Sequence, residues 1–286
     1  MKLKPLPRAI GLAAALCLAH TAHAADLLLW QDNSLSYLYG ENFQRMNFNA
    51  EEQRTQTTFT FEHASGWAWG DLFYFLDYVR ADNLQSRGNF DNGNFRQHEK
   101  EAFYYMEFSP RLSLSWLSGR QLAAGPIKDV FAAFTYEKGT GGPGPENYLY
   151  GLGLDWDIPG FTYFKSNLYR VKINNHVFFN ERDRNGYATQ LTLTAAYPLS
   201  IGRQDFVIDG FVDWRSPSRE AGTQTSLGSS IQIKWDAGKA LFGEGRRLYV
   251  GTELNLWHNK YGVIPVDGST DGFDQTAVQA LVKYHF

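Results

Sequence analysis

The chain has 286 residues, a formal net charge of −3 and one cysteine, and 16% of it is aromatic. So many aromatic side chains would collapse rather than stay disordered. Outside the N-terminus, no apolar run approaches the ~20 residues that a spanning helix needs. The acidic balance and the lack of a basic block disfavour nucleic acid as a partner. The two classes left are a large soluble β-protein and a membrane β-barrel.

The N-terminus reads as a secretory leader. Lys2, Lys4 and Arg8 form a positive region, residues 9–19 a short apolar stretch, and Ala22-His23-Ala24 a small-x-small cleavage site. The expected division is a signal peptide over 1–24 and a single barrel domain over 25–286. Cleavage takes the net charge from −3 to −6 and removes Cys17, the one cysteine. A secreted chain of this size without disulfides must be stabilised by its fold alone.

Alternating segments follow, each with an apolar and a polar parity, and a period of two means strand. Leu35, Tyr37 and Tyr39 oppose Ser34 and Ser36. Phe59 and Phe61 oppose Thr58, Thr60 and Glu62. Leu72, Tyr74, Leu76 and Tyr78 oppose Asp71, Phe73, Phe75 and Asp77. The pattern continues to the last strand, where Thr276, Val278, Ala280, Val282, Tyr284 and Phe286 share one face. Twelve strands are expected, at 29–39, 54–65, 67–79, 100–115, 127–137, 147–158, 160–173, 185–198, 204–216, 225–236, 247–258 and 274–286. In 160–173, Lys165, Asn167 and Tyr169 are expected to point inward. Pro110 removes a ladder donor, so a bulge or break is expected there. Short turns at Ser65-Gly66 and Ile158-Pro159-Gly160 alternate with long polar loops, as in outer-membrane barrels. The fold class is therefore all-β: a twelve-stranded antiparallel transmembrane barrel in the bacterial outer membrane.

Catalytic motifs are scarce. Without a cysteine past the leader, thiolate metal sites and cysteine nucleophiles are excluded. G-x-S-x-G and H-E-x-x-H do not occur, and His63, His98, His176, His258 and His285 are scattered. Gly139–Pro145 lacks the Lys-Ser/Thr of a phosphate loop and reads as a flexible connection. The carboxylates of Asp267–Asp274 read as a solvated loop, with calcium as the alternative. No cofactor, metal site or enzymatic activity is expected.

The polar parity carries the chemistry. Its candidate solute-binding residues are Asp71, Phe75, Glu107, Arg111, Lys165, Asp209, Phe211, Glu253, Trp257 and Lys283. A soluble core would not hold so many ionisable groups unpaired, but a wet lumen can. Aromatic rings there can stack on a flat solute while carboxylates and cations bond its hydroxyls and ring nitrogens. For each charge taken alone, an ion pair bracing the barrel is the competing reading.

The block Tyr104–Gly139 carries M-E-x-x-P-R-x-S at Met106–Ser113 and G-P-x-K at Gly125–Lys128. With YGLGLDWD at Tyr150–Asp157, LWHNKYG at Leu256–Gly262 and the closing LVKYHF, it resembles the nucleoside-specific channels of the outer membrane, the Tsx family, which includes vibriophage receptors. The resemblance implies a monomeric barrel whose narrow lumen binds nucleosides and passes them without energy input. Glu107 and Arg111 fall on the family pattern. Expected partners are nucleosides or similar solutes, outer-membrane lipid and the barrel assembly machinery, which reads a terminal aromatic strand. The alternative is a non-transporting surface barrel, with phage or colicin bound by the loops at 80–99 and 259–273.

Overall fold

A computed structural model describes residues 27–44, 53–84, 98–140, 145–177, 182–262 and 274–286. The leader, segments 85–97 and 263–273, and the centre of the Gly139–Pro145 loop lie outside them. So does most of Asp267–Asp274.

Twelve strands form one closed antiparallel barrel. They are β1 (Leu28–Gln44), β2 (Gln53–Trp67), β3 (Gly70–Leu84), β4 (His98–Ser113), β5 (Ile127–Gly139) and β6 (Glu146–Trp156). There follow β7 (Tyr163–Val177), β8 (Arg182–Ile201), β9 (Gln204–Arg215), β10 (Ser226–Asp236), β11 (Leu248–His258) and β12 (Gln275–His285). Each strand pairs with its sequence neighbours. The β1–β12 seam closes the ring in a continuous register from Ser34↔His285 to Glu41↔Val278. A closed ladder leaves no edge, which lipid demands because it cannot hydrogen-bond a free N–H or C=O.

The expected parity holds around the ring. Leu35, Tyr37 and Tyr39 are exposed while Ser34, Ser36 and Leu38 between them are buried. On β12, Val278, Val282 and Tyr284 are exposed and Ala277, Gln279 and Leu281 are buried. The exposed set is the lipid face. Lys165, Asn167 and Tyr169 share the inward parity of β7, with Asn167 and Tyr169 buried. Aromatic pairs mark both rims: Trp67 stacks on Trp69 at one, and Tyr136 packs on Tyr148 at the other. Interfacial girdles of this kind anchor a barrel at the depth where its rings meet headgroups.

The structure corrects the sequence reading at three places. Pro110 makes no bulge. β4 keeps one register on β3 through Leu72↔Pro110. On the β5 side pairing lapses only at Ser109 and Pro110 and resumes at Arg111↔Ala133 without a shift. The missing proline donor costs one local rung, which a Ser109 Oγ–Thr135 Oγ1 hydrogen bond of 2.9 Å bridges. Ser65-Gly66 is not a turn but part of β2, and the turn falls at Ala68-Trp69. A Cβ at Gly66 would meet the Trp30 indole at 2.1 Å, so this glycine makes room for a ring. Finally, the connections after β4 and β10 carry short helices, α1 (Leu114–Ser118) and α2 (Ala237–Phe242). Ser113 and Asp236 cap their N-termini, accepting from Trp116 N and Lys239 N, and Gly119 and Gly243 end them in the left-handed conformation. Capping signals one turn long leave no helical periodicity to detect. Both helices expose apolar side chains (Trp116, Leu117, Leu241, Phe242) at the short-turn rim.

Gly210, at the centre of β9, has φ +149°, and a Cβ there would lie 2.0 Å from the Ser230 carbonyl oxygen. Gly210→Val should destabilise the barrel by at least about 1–3 kcal/mol. It should lower the temperature at which the band in detergent gels shifts from the folded to the unfolded position. An unchanged transition would contradict the close approach of β9 and β10.

Candidate functional site: the lumen

The inward residues do not enclose a round pore. On β12 and β1, Ser36, Leu38, Gln279 and Leu281 are fully buried. On the opposite side, β5–β8, so are Ala133, Leu149, Val171, Ile173 and Ala188. Partly exposed inward side chains line the two walls between. Phe73, Phe75 and Asp77 lie on β3, Tyr105 and Glu107 on β4, Thr192 and Thr194 on β8, and Phe211 and Asp213 on β9. Twelve strands leave little interior once side chains fill it, and here they fill two opposite ends. The inward side chains that keep partial exposure therefore lie on two facing walls, β2–β4 and β8–β11.

Near the short-turn end, one wall is organised by Arg111. Its Nε donates to Asp71 Oδ1 at 2.8 Å and its Nη2 bonds Asp71 Oδ2 and, at 2.7 Å, Asp155 Oδ1. The two-pronged bond to Asp71 exploits the planar guanidinium fork. Lys165 Nζ, reaching across from β7, donates to Asp71 Oδ2 at 2.7 Å. The guanidinium lies 4.2 Å from the centre of the Phe131 ring. Gly153 makes room, since a Cβ there would be 2.4 Å from Asn167 Oδ1 and 3.4 Å from Arg111 Nη1. Arg111 is only 4% exposed, so it is a brace tying β3, β4 and β6 together.

A second group lies on the other wall at the same end. Lys283 pairs with Glu62, which also accepts from Ser34 Oγ at 3.1 Å. Lys234 donates to Asp209 Oδ2 at 2.6 Å, 5.6 Å from the Tyr249 ring. Nearer the long-loop end, Arg215 Nη2 donates to Glu137 Oε1 at 3.0 Å and its Nε to Gln190 Oε1 at 2.7 Å. This links β9 to β5 across the lumen.

Besides Asp129 and Asp236 at the short-turn end, which accept from serine hydroxyls and backbone N–H groups, four inward carboxylates nearer the middle have only uncharged hydrogen-bond donors among the described residues. Glu107 accepts from the Tyr105 hydroxyl at 2.6 Å, Asp77 from Thr60 Oγ1 at 2.5 Å and Asp213 from Thr192 Oγ1 at 2.5 Å. Glu253 accepts from Gln232 Nε2 at 2.8 Å and Gln279 Nε2 at 2.9 Å. The lumen is thus graded. Arg111, Lys165, Lys234 and Lys283 neutralise the short-turn end, while carboxylates prevail towards the long-loop end.

The ten candidate residues all have inward parity, but they form separate groups. Asp71, Arg111 and Lys165 are one network, Asp209 and Lys283 belong to the second, and Glu107 and Glu253 stand apart from both. Phe75 packs on Tyr105 at 5.8 Å between ring centres. Phe211 lies between Thr194 and Ser230 on β9. Trp257 lies near the long-loop mouth, its indole over Gly228 and its Nε1 donating to Asn255 Oδ1 at 3.0 Å. Glu62, Glu137, Asp155, Arg215 and Lys234 complete the ion pairs and were not among the candidates. Parity carried the signal, since Glu137 follows Thr135 and Arg215 follows Asp213 by two.

Removing the buried Arg111 leaves Asp155 without its ion-pair partner and Asp71 with Lys165 alone. Arg111→Ala should cost about 3–5 kcal/mol of stability, read as a lower unfolding midpoint in urea. Glu107→Gln keeps an acceptor for Tyr105 and removes an uncompensated charge, so it should leave the midpoint unchanged or raise it. Equal destabilisation by both variants would show that the two carboxylate environments do not differ.

The model of the nucleoside-specific channel-forming protein family, Tsx, matches residues 32–286. Outer membrane protein OmpK of Vibrio parahaemolyticus is 25% identical over 197 residues, covering 69% of this chain and 68% of the relative. Among solved structures, the NanC porin aligns at 9% identity and a TM-score of 0.47, covering 87% of this chain and 98% of the porin. The KdgM porin in complex with disordered oligogalacturonate aligns at 9% identity and a TM-score of 0.42, covering 88% of this chain and 99% of the porin. With a family match over residues 32–286, this chain belongs to the Tsx family of outer-membrane channel proteins.

Proposed function

We propose that the barrel passes nucleosides and related small, polar, ring-bearing solutes by facilitated diffusion. The observation that carries this reading is the pair of facing, partly exposed walls, which we read as a slot between β3–β4 and β8–β9. Phe73, Phe75 and Phe211 line it beside carboxylates that hold only uncharged donors. A flat base fits a slot better than a globular sugar does. Its faces stack on Phe75 and Phe211, while ribose hydroxyls and base amines donate to Glu107, Asp213 and Asp77. Trp257 offers a ring at the mouth. Arg111, Lys165, Asp71, Asp209 and Lys283 act mainly through the ion pairs that hold the walls apart. Weak contacts at several levels let a solute enter without being trapped. In this reading the chain works as a monomer, residues 1–24 are removed, and the strand ending on Phe286 guides assembly into the outer membrane.

Liposomes carrying the protein should admit adenosine or thymidine several-fold faster than a disaccharide of similar size. The double variant Phe75→Ala/Phe211→Ala should cut nucleoside entry roughly five- to tenfold, consistent with base–aromatic stacking of about 1–3 kcal/mol, and leave the disaccharide unchanged. Equal entry of nucleoside and disaccharide into liposomes with the parent protein would remove the nucleoside reading. Because inward carboxylates outnumber inward cations, a nucleoside 5′-monophosphate should enter more slowly than its nucleoside, with the gap narrowing at high salt.

A further inference from the structure

The connection from β9 to β10 does not run over the rim. Ser218 N donates to Thr223 O at 3.0 Å and Thr223 N to Ser218 O at 2.9 Å, which closes a miniature hairpin. Gly222 turns it with φ +62°, and Ala221 N donates to Ser218 Oγ at 3.2 Å. The hairpin lies inside the wall. Gly186 has inward parity on β8, and a Cβ on it would sit 2.7 Å from Ala221 N, 2.7 Å from Ser218 Oγ and 3.0 Å from the Ala221 methyl. Ala221, 2% exposed, packs with Leu149, Val171, Ile173 and Ala188, all inward residues of β6–β8. An apolar patch on the inner wall of a polar lumen is otherwise unexplained, and here it is the seat of this loop.

The far side of the hairpin continues into a second inward segment. Gln224 N donates to Gly262 O at 2.8 Å, and Asn259 Nδ2 donates to Thr225 O at 3.1 Å. Lys260, in the 3-10 turn Lys260–Gly262 between β11 and β12, ties that turn to the neighbouring strands β12 and β1. Its Nζ donates to Gln44 O at 3.0 Å and to Gln275 Oε1 at 2.5 Å. The hairpin seated on β6–β8 is therefore linked through the Lys260–Gly262 turn to β12 and β1.

We propose that the Ser218–Gln224 hairpin and the Lys260–Gly262 turn form a strap across the long-loop mouth of the lumen. This strap, rather than the barrel wall, sets the size limit for solutes, and it diverts them from the β6–β8 side into the slot. The inference rests on the channel character of the family and not on nucleoside recognition.

Two variants remove the strap from its seat and leave the strands untouched. Ala221→Arg places a charge in the apolar patch, which the loop escapes by lifting into water. Replacing Arg219–Gly222 by two glycines shortens the hairpin so that it cannot reach Gly186. Both should keep heat-modifiable gel migration. Both should raise single-channel conductance in planar bilayers by at least about twofold and admit a trisaccharide that the parent excludes. A second measurement does not need conductance. Ala188→Cys places a thiol beneath Ala221 in a chain whose one native cysteine is Cys17. A small methanethiosulfonate reagent should modify it at least about tenfold faster in the Ala221→Arg background than alone, followed by the mass of residues 25–286. Parental conductance in both variants, or equal labelling in both backgrounds, would overturn the strap. Failure of nucleoside selectivity with the parent would leave these comparisons intact and would count only against the proposed function.

Discussion

Lipid offers no hydrogen-bond partner, and most of this structure follows from that. Every strand in the hydrocarbon must be paired on both edges, so the first and last strands must meet. The β1–β12 register provides this, and it fixes the rest. A ring of this size encloses a narrow interior. Alternation then divides every strand between lipid and lumen, and each inward side chain competes for limited space. Leu38, Leu281, Val171 and Ile173 fill two opposite sides of that space.

Charges inside such a lumen are tolerable only when paired, hydrogen-bonded or wet. The short-turn end uses the first solution. Arg111 joins Asp71 to Asp155, Lys165 reaches over from β7, and Lys234 and Lys283 neutralise Asp209 and Glu62. The slot uses the other two. Tyr105, Thr60 and Thr192 each give one hydrogen bond to a carboxylate with free acceptor capacity remaining. Bracing and less satisfied acceptors are thus separated along the axis: the ion pairs hold the walls at the short-turn end, and the carboxylates with only uncharged donors lie beyond them. The strap adds a third element, because it narrows the lumen with residues that belong to loops and can change without disturbing the ladder.

Alternation made most of the barrel legible in the sequence. The twelve strands, the inward set and the orientation of β7 all followed from a period of two, because lipid and water impose opposite demands on adjacent residues. Three features were hidden for specific reasons. Pro110 looked like a break because a lost donor is visible in sequence, while the side-chain bridge from Ser109 to Thr135 that tolerates it is not. Gly66 looked like a turn residue, but its glycine makes room for Trp30 from another strand. The helices after β4 and β10 are too short to have a period.

Sequence by itself determined the fold class, the strand count and which side chains face inward, because these are local consequences of one chain meeting two solvents. Tertiary structure alone decided which inward charges meet. Lys165 and Asp71 are 94 positions apart and meet only because the barrel brings β7 opposite β3. It also decided that Ala221 lies inside the wall, since the seat for that methyl is assembled from β6, β7 and β8. Parity tells a residue which way to point, but only closure of the ring sets what it finds there.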